Sequence, residues 1–143
     1  MSDRFFFDSN VLVYAYDSSA PAKQRRAQSL LADGLQSDCA TLSTQVLSEF
    51  FVTVTAKIRE PMSALEAQDV LNTLCIIPVV EIDLPMINRA IDTHRSYGIS
   101  YWDALIVSAA ERAGCLTILS EDLNDGQAYH GITVRDPFRE IRD

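Results

Sequence analysis

Positive charge is scarce in this chain: 12 Lys and Arg stand against 20 Asp and Glu, a formal net charge of −8. That balance argues against broad non-specific nucleic-acid binding, which rests on a basic surface, but leaves room for an enzyme whose acids hold cations. Histidine is almost absent. His94 and His130 are the only two and share no local motif, which disfavours a Ser-His-Asp or histidine-based centre and reads both as surface residues. Cys39, Cys75 and Cys115 are odd in number, far apart and set among apolar residues, so neither a disulfide framework nor a C-x-x-C metal site is indicated. They read as core filler. No apolar run approaches the roughly 18 residues of a membrane span, and Met1-Ser2-Asp3-Arg4 lacks the apolar region of a signal peptide. A cytoplasmic location with no membrane partner is expected. There is no Pro/Gly/Ser-rich linker, internal repeat or low-complexity tract, and 48% of the 143 residues are hydrophobic, which predicts one domain over 1–143.

What is present is a series of short apolar strands alternating with helical patterns. Phe5-Phe6-Phe7 reads as a buried strand stopped at Asp8-Ser9-Asn10, and a short helix or turn follows to about Asp17. An amphipathic helix is predicted from Ala22 to Leu35, ended around Gly34. Cys39 to Ser43 gives a second strand whose Ser43 or Thr44 caps a helix carrying Val46, Leu47, Phe50 and Val54. Ser63-Ala64-Leu65-Glu66 is a capping-box pattern. Pro78 pushes the strand around Val79 toward a sheet edge or bulge, Asp83 and Pro85 open a helix ended by Gly98, and Gly114 ends the next one. Cys115 to Leu119 and Ile132 to Val134 are the last strands before a polar tail. The alternation predicts an α/β fold with a mainly parallel sheet covered on both faces.

The helix opening at Ser100 organises the chain. Ala104, Leu105, Ile106, Val107, Ala109, Ala110 and Ala113 commit both broad faces to packing and leave Ser108, Glu111 and Arg112 for water. Ser100 and Asp103 fit the S/T-x-x-D/E cap, and taken alone Asp103 is a capping acid. Three other acids stand at comparable junctions: Asp8 and Asp122 at strand C-terminal ends, and Glu49 beside an apolar helical stripe. In an open α/β sheet, strand C-termini and helix N-termini face one edge, where ligands bind. Clustered carboxylates raise one another's pKa unless a cation holds them ionised. An all-oxygen set suits Mg²⁺ or Mn²⁺, whose chemistry on phosphodiesters is charge neutralisation and water activation.

Phe6-Phe7-Asp8-Ser9-Asn10-Val11-Leu12-Val13-Tyr14, Ser48-Glu49-Phe50, Ser100-Tyr101-Trp102-Asp103-Ala104-Leu105-Ile106 and Leu119-Ser120-Glu121-Asp122-Leu123 resemble, in order and over the whole chain, the acidic motifs of the PIN-domain ribonucleases, and among them the VapC toxins of bacterial toxin–antitoxin pairs. The resemblance implies a three-layer α/β/α fold, Mg²⁺-dependent endonuclease action on RNA, and a homodimer inhibited by a cognate antitoxin. Carried over by position, Asp8, Glu49, Asp103 and Asp122 are its acidic quartet and metal ligands, with Asn10 a supporting hydrogen-bonding neighbour. Ser9 stands where many relatives have Thr, which keeps the hydroxyl. Asp125 is a further acid nearby, outside the expected quartet. Trp102 is expected to pack at the start of its helix, and Lys23, Arg25 and Arg26, the densest basic cluster, read as a solvated face with RNA contact as the alternative. Two other functions compete. A haloacid-dehalogenase-like phosphohydrolase would use Asp8 as nucleophile, although Asn10 replaces the expected acid and no Lys follows Lys57. A non-catalytic α/β module would keep the acids only for metal or partner binding.

Overall fold

The computed structural model describes residues 3–141. The readings for Met1-Ser2 and for the last two residues of the polar tail lie outside that range. Its elements are β1 (Phe5–Phe7), α1 (Ser9–Ala15), α2 (Pro21–Ser37), β2 (Ala40–Ser43), α3 (Thr44–Ala56), α4 (Ala64–Leu74), β3 (Val79–Val80), α5 (Leu84–Tyr97), α6 (Tyr101–Arg112), β4 (Thr117–Leu119), β5 (Ala128–Tyr129) and β6 (Ile132–Arg135). The sheet order is β3-β2-β1-β4-β6-β5, and every pairing is parallel except β5 with β6. Helices α1 to α4 pack in succession through α1–α2, α1–α3 and α3–α4, while α5 packs on α6, giving the expected layered α/β architecture. Among the described residues no helix is long and apolar enough to cross a membrane.

Side-chain burial follows from these layers. Phe6, Phe7, Leu42, Ile118 and Val134, from four adjacent parallel strands, are fully buried, as a parallel sheet covered on both faces requires. Helix α6 buries every residue from Ala104 to Ala110 and shares a small separate core with Ala90 of α5. Ser108 is therefore not a solvent residue: it is 3% exposed and its Oγ lacks a hydrogen-bond partner among the described residues. The buried stretch from Ala104 to Ala110 leaves it no open face.

Several expectations shift for local reasons. Helix α2 does not stop at Gly34 but runs on to Ser37, with Asp38 in the left-handed conformation as its cap. Gly34 is required by contact instead, because a Cβ there would stand 2.8 Å from the Cβ of Ala40 on β2. Cys39 and Cys115 are buried, whereas Cys75, at the C-cap of α4, is exposed rather than core filler. His94 is exposed, but His130 is half-buried and its Nε2 lies 2.8 Å from the Thr93 hydroxyl. Strand β5 is too short for a sequence pattern to reveal. Pro78 does mark an edge, since β3 closes one side of the sheet.

Candidate functional site

Strand order reverses direction at β1: β2 and β3 lie on one side and β4, β6 and β5 on the other. The crevice beyond the C-termini of β1 and β4 is the switch point at which such sheets bind ligands. Asp8 follows β1 directly and Ser120-Glu121-Asp122 follows β4, with the Asp8 N–H donating to the Leu119 carbonyl at 3.0 Å. The two acidic segments are thus neighbours by backbone pairing.

Asp8 is 5% exposed and acts as the N-cap of α1, accepting the Ser9 N–H on Oδ1 at 2.7 Å. Its Oδ2 accepts the Ser120 hydroxyl at 2.7 Å. Asn10 bridges the segments: its Nδ2 donates to Asp122 Oδ2 at 3.2 Å and to Asp8 Oδ2 at 3.4 Å, and its Oδ1 accepts the Glu121 N–H at 3.1 Å. An amide serves here because the position needs a donor and an acceptor at once.

Burial pushes the Asp8 carboxyl above its usual range; bonds from Ser120 and the Ser9 backbone hold it down, and the charges of Asp122 and Asp103 add to the rise. Glu49, half-buried on α3, is raised by burial and then by the charge of Asp8, with hydrogen bonds from Gln45 and Ser9 opposing and Asp103 adding. Asp103 is raised by burial, lowered by the Ser100 hydroxyl and raised again by Asp122. The four acids therefore share one electrostatic neighbourhood. Ser100 Oγ caps the Asp103 N–H at 3.1 Å, but the reciprocal bond that completes the box at Ser63 and Glu66 does not accompany it among the described residues. Asp103 is thus only half a capping acid.

The donor set is all oxygen, which fits a hard divalent cation, and such an ion would offset the mutual repulsion of these carboxylates. Among the described residues no three His, Cys, Asp or Glu form a ready-made cage. Mg²⁺ needs none, since it keeps several waters and takes only one or two carboxylates. Asp125 is engaged elsewhere, with Arg139 at 2.8 Å and the Asp136 N–H at 2.9 Å.

The sequence reading gave no role to Ser120. It is fully buried, donates to Asp8 and accepts the N–H groups of Asp122 and Leu123 at 3.1 and 3.2 Å. Its signal was its place two residues before Asp122, where a hydroxyl can close an ST turn. Glu121 was also missed. It accepts Lys23 Nζ and Tyr14 Oη, both at 2.7 Å, so Lys23 is tied beside the site rather than solvated. Trp102 meets the Tyr101 ring edge-on at its helix start, centroids 5.1 Å apart, but stays 63% exposed and borders a cleft of about 490 Å³ with Gln45, Glu49, Ile82 and Leu105. Gln45 Nε2 donates to the Trp102 carbonyl at 3.1 Å.

No curated protein sequence matches the chain. Three solved structures share its fold at low identity. A toxin–antitoxin complex from Klebsiella pneumoniae aligns with a TM-score of 0.67 and 17% identity, covering 92% of this chain and 96% of that one. VapBC from Salmonella typhimurium bound to DNA gives 0.68 and 15%, covering 95% and 99%. A Mycobacterium tuberculosis VapC toxin that cleaves the sarcin–ricin loop gives 0.63 and 14%, covering 90% and 98%. The PIN-domain family model matches residues 5–126, a span that holds β1, β4 and all four acids, and the chain accordingly belongs to the PIN-domain family.

Proposed function

We propose that this protein is a metal-dependent endoribonuclease and the toxin of a toxin–antitoxin pair. The observation that carries the reading is the convergence of Asp8, Glu49, Asp103 and Asp122 on the switch-point crevice, with three of them raised by burial and by one another's charge. Membership of the PIN-domain family and the toxin–antitoxin identity of the similar folds support it.

The four acids would hold Mg²⁺ or Mn²⁺, which when bound neutralises phosphate charge and lowers the pKa of water. The chain's own part is orientation. Ser120 and the Ser9 N–H fix both oxygens of Asp8, and Asn10 sets Asp122 against it. Glu49 and Asp103 reach the crevice from α3 and α6 and complete its negative wall. Attack of water on phosphorus forms one phosphorus–oxygen bond and breaks another; a carboxylate close by receives the proton the water loses, and the leaving ribose oxygen takes a proton from solvent. An antitoxin partner and a homodimer belong to the same reading, since several similar structures are toxin–antitoxin complexes.

The test is cleavage of structured RNAs by the purified chain with and without Mg²⁺, alongside Asp8→Asn and Asp103→Asn. Internal cuts are expected only with metal and only in wild type, with both variants folded by circular dichroism. An Asp103→Asn protein that cuts at the wild-type rate removes Asp103 from the centre; phosphate release from small phosphomonoesters without RNA cleavage overturns the nuclease reading. For the toxin role, strong expression of the wild-type chain alone should arrest growth and Asp8→Asn should not. Unhindered growth refutes that role while leaving the nuclease intact.

A further inference from the structure

We infer that the site takes a single RNA strand along a defined path, with an unstacked base on Trp102 and two flanking phosphates, one on Lys57 and one on Arg59; this rests on the nuclease reading and adds to it the path of the substrate past the acids. The path is a run of three adjoining clefts. The first, bordered by Trp102, Gln45 and Glu49, shares Ser48 and Glu49 with a second of about 330 Å³, which shares Ser9, Thr53 and Lys57 with a third of about 430 Å³ that reaches Arg59, Asn10 and Asp122. Two of the acids line the run, Glu49 in the first and second clefts and Asp122 in the third.

One end offers an aromatic face. Trp102 is 63% exposed, directly before Asp103, on a helix start that Ser100 and Gln45 hold in place. A large exposed aromatic beside a polar site is a stacking platform that suits any base. Gln45, 8% exposed, lines the same cleft and holds the Trp102 backbone by its Nε2. The other end carries cations: Lys57 and Arg59, just past α3, share their cleft with Asp17, Glu121 and Asp122 yet form no ion pair among the described residues. In a chain of net charge −8, two unpaired cations facing the acidic crevice are where a polyanion gains most. Lys57 and Arg59 line the run, whereas Lys23, Arg25 and Arg26 line none of its three clefts. A base reaches an aromatic face only when unpaired, so the strand is single at this point.

Trp102 is the sole tryptophan, which makes its fluorescence a direct reporter. The experiment titrates the non-cleaving Asp8→Asn protein with oligoadenylate, oligouridylate and a blunt RNA duplex, reading tryptophan quenching and, with labelled RNA, anisotropy over a range of salt. Wild-type cleavage is measured in parallel. Oligoadenylate should quench Trp102 and bind tighter than oligouridylate. Adding Trp102→Ala should weaken binding about ten- to a hundredfold, the worth of one base–aromatic stack, with the salt slope unchanged. Adding Lys57→Ala and Arg59→Ala should reduce the slope by about 1.4, since each phosphate contact on a single strand contributes about 0.7, and should leave quenching at saturation intact. Equal quenching by the duplex overturns the inference. So does an absence of quenching while the wild type cuts RNA, or a Trp102 response to an antitoxin protein alone. A wild type that cuts no RNA in any metal removes the nuclease reading itself, and this inference with it.

Discussion

Replacing Ser120 by alanine removes one oxygen and unsettles four groups, the weakest of them Asn10 Nδ2 at 3.4 Å. Asp8 loses a donor at 2.7 Å, and the N–H groups of Asp122 and Leu123 lose their acceptor. A hydrogen bond to a charged group contributes about 1.5–3 kcal/mol, and a buried group left unsatisfied costs about 1–3 kcal/mol. Asp122 is exposed, so its N–H finds water, while Leu123 is buried. The expected loss is about 3–5 kcal/mol, a large share of the roughly 5–15 kcal/mol that holds a domain folded. For a chain of this size that lowers the melting temperature by roughly 10–15 °C. Ser120→Cys fills the same space with a weak hydrogen-bonding group and should lose nearly as much. Metal-free thermal melts followed by circular dichroism measure both. The pH–rate profile supplies a second readout: the Ser120 bond holds the Asp8 carboxyl down, so its loss moves the acid limb of cleavage to higher pH. A Ser120→Ala protein that melts within about 1 kcal/mol of wild type, or a Ser120→Cys protein that melts like wild type, refutes this account of how the acids are positioned.

The Asp103 carboxyl is raised above its ordinary value by burial and then by Asp122, so its charge costs stability above the folded pKa and that cost disappears as pH falls through it. Asp103→Asn should therefore melt higher than wild type without metal at neutral pH, with the gap closing in acid; a lower melting temperature would return Asp103 to a capping role. Mg²⁺ or Mn²⁺ should stabilise wild type by about 2.7 kcal/mol at 100 times its dissociation constant, and Asp8→Asn should abolish most of the shift. Equal shifts in both proteins would put the metal elsewhere on the acidic surface. Ca²⁺ should stabilise in the same way while supporting little cleavage, because it accepts looser geometry. Gly34→Ala should destabilise by about 1–2 kcal/mol although alanine is the better helix former, since the new methyl meets the Ala40 Cβ; a melt at or above wild type would show that β2 yields at no cost.

The local sequence determined the elements that local chemistry governs. Strand β1 stops at Asp8 because Asp-Ser-Asn favours a cap, α4 opens at a capping box whose two bonds are both made, and Gly98 ends α5 in the left-handed conformation. The acidic quartet was legible for a related reason: each acid sits at or near the junction of an apolar run, and alternating strands and helices send such junctions to one edge. What depends on partners distant in the chain was not legible. Gly34 looked like a helix stop because its true constraint, Ala40 on the neighbouring strand, is a contact between layers. Ser108 looked solvated because α6 turned out to be covered on every side. Ser120, Glu121 and Lys23 took their roles from bonds spanning about a hundred residues of chain, such as Lys23 to Glu121, 98 positions apart. Exposure of Trp102 beside Glu49 was decided the same way. Periodicity fixes which face of a helix is apolar, but only the packing of α6 against α5 and the sheet decides which residues at its start are left over to face a substrate.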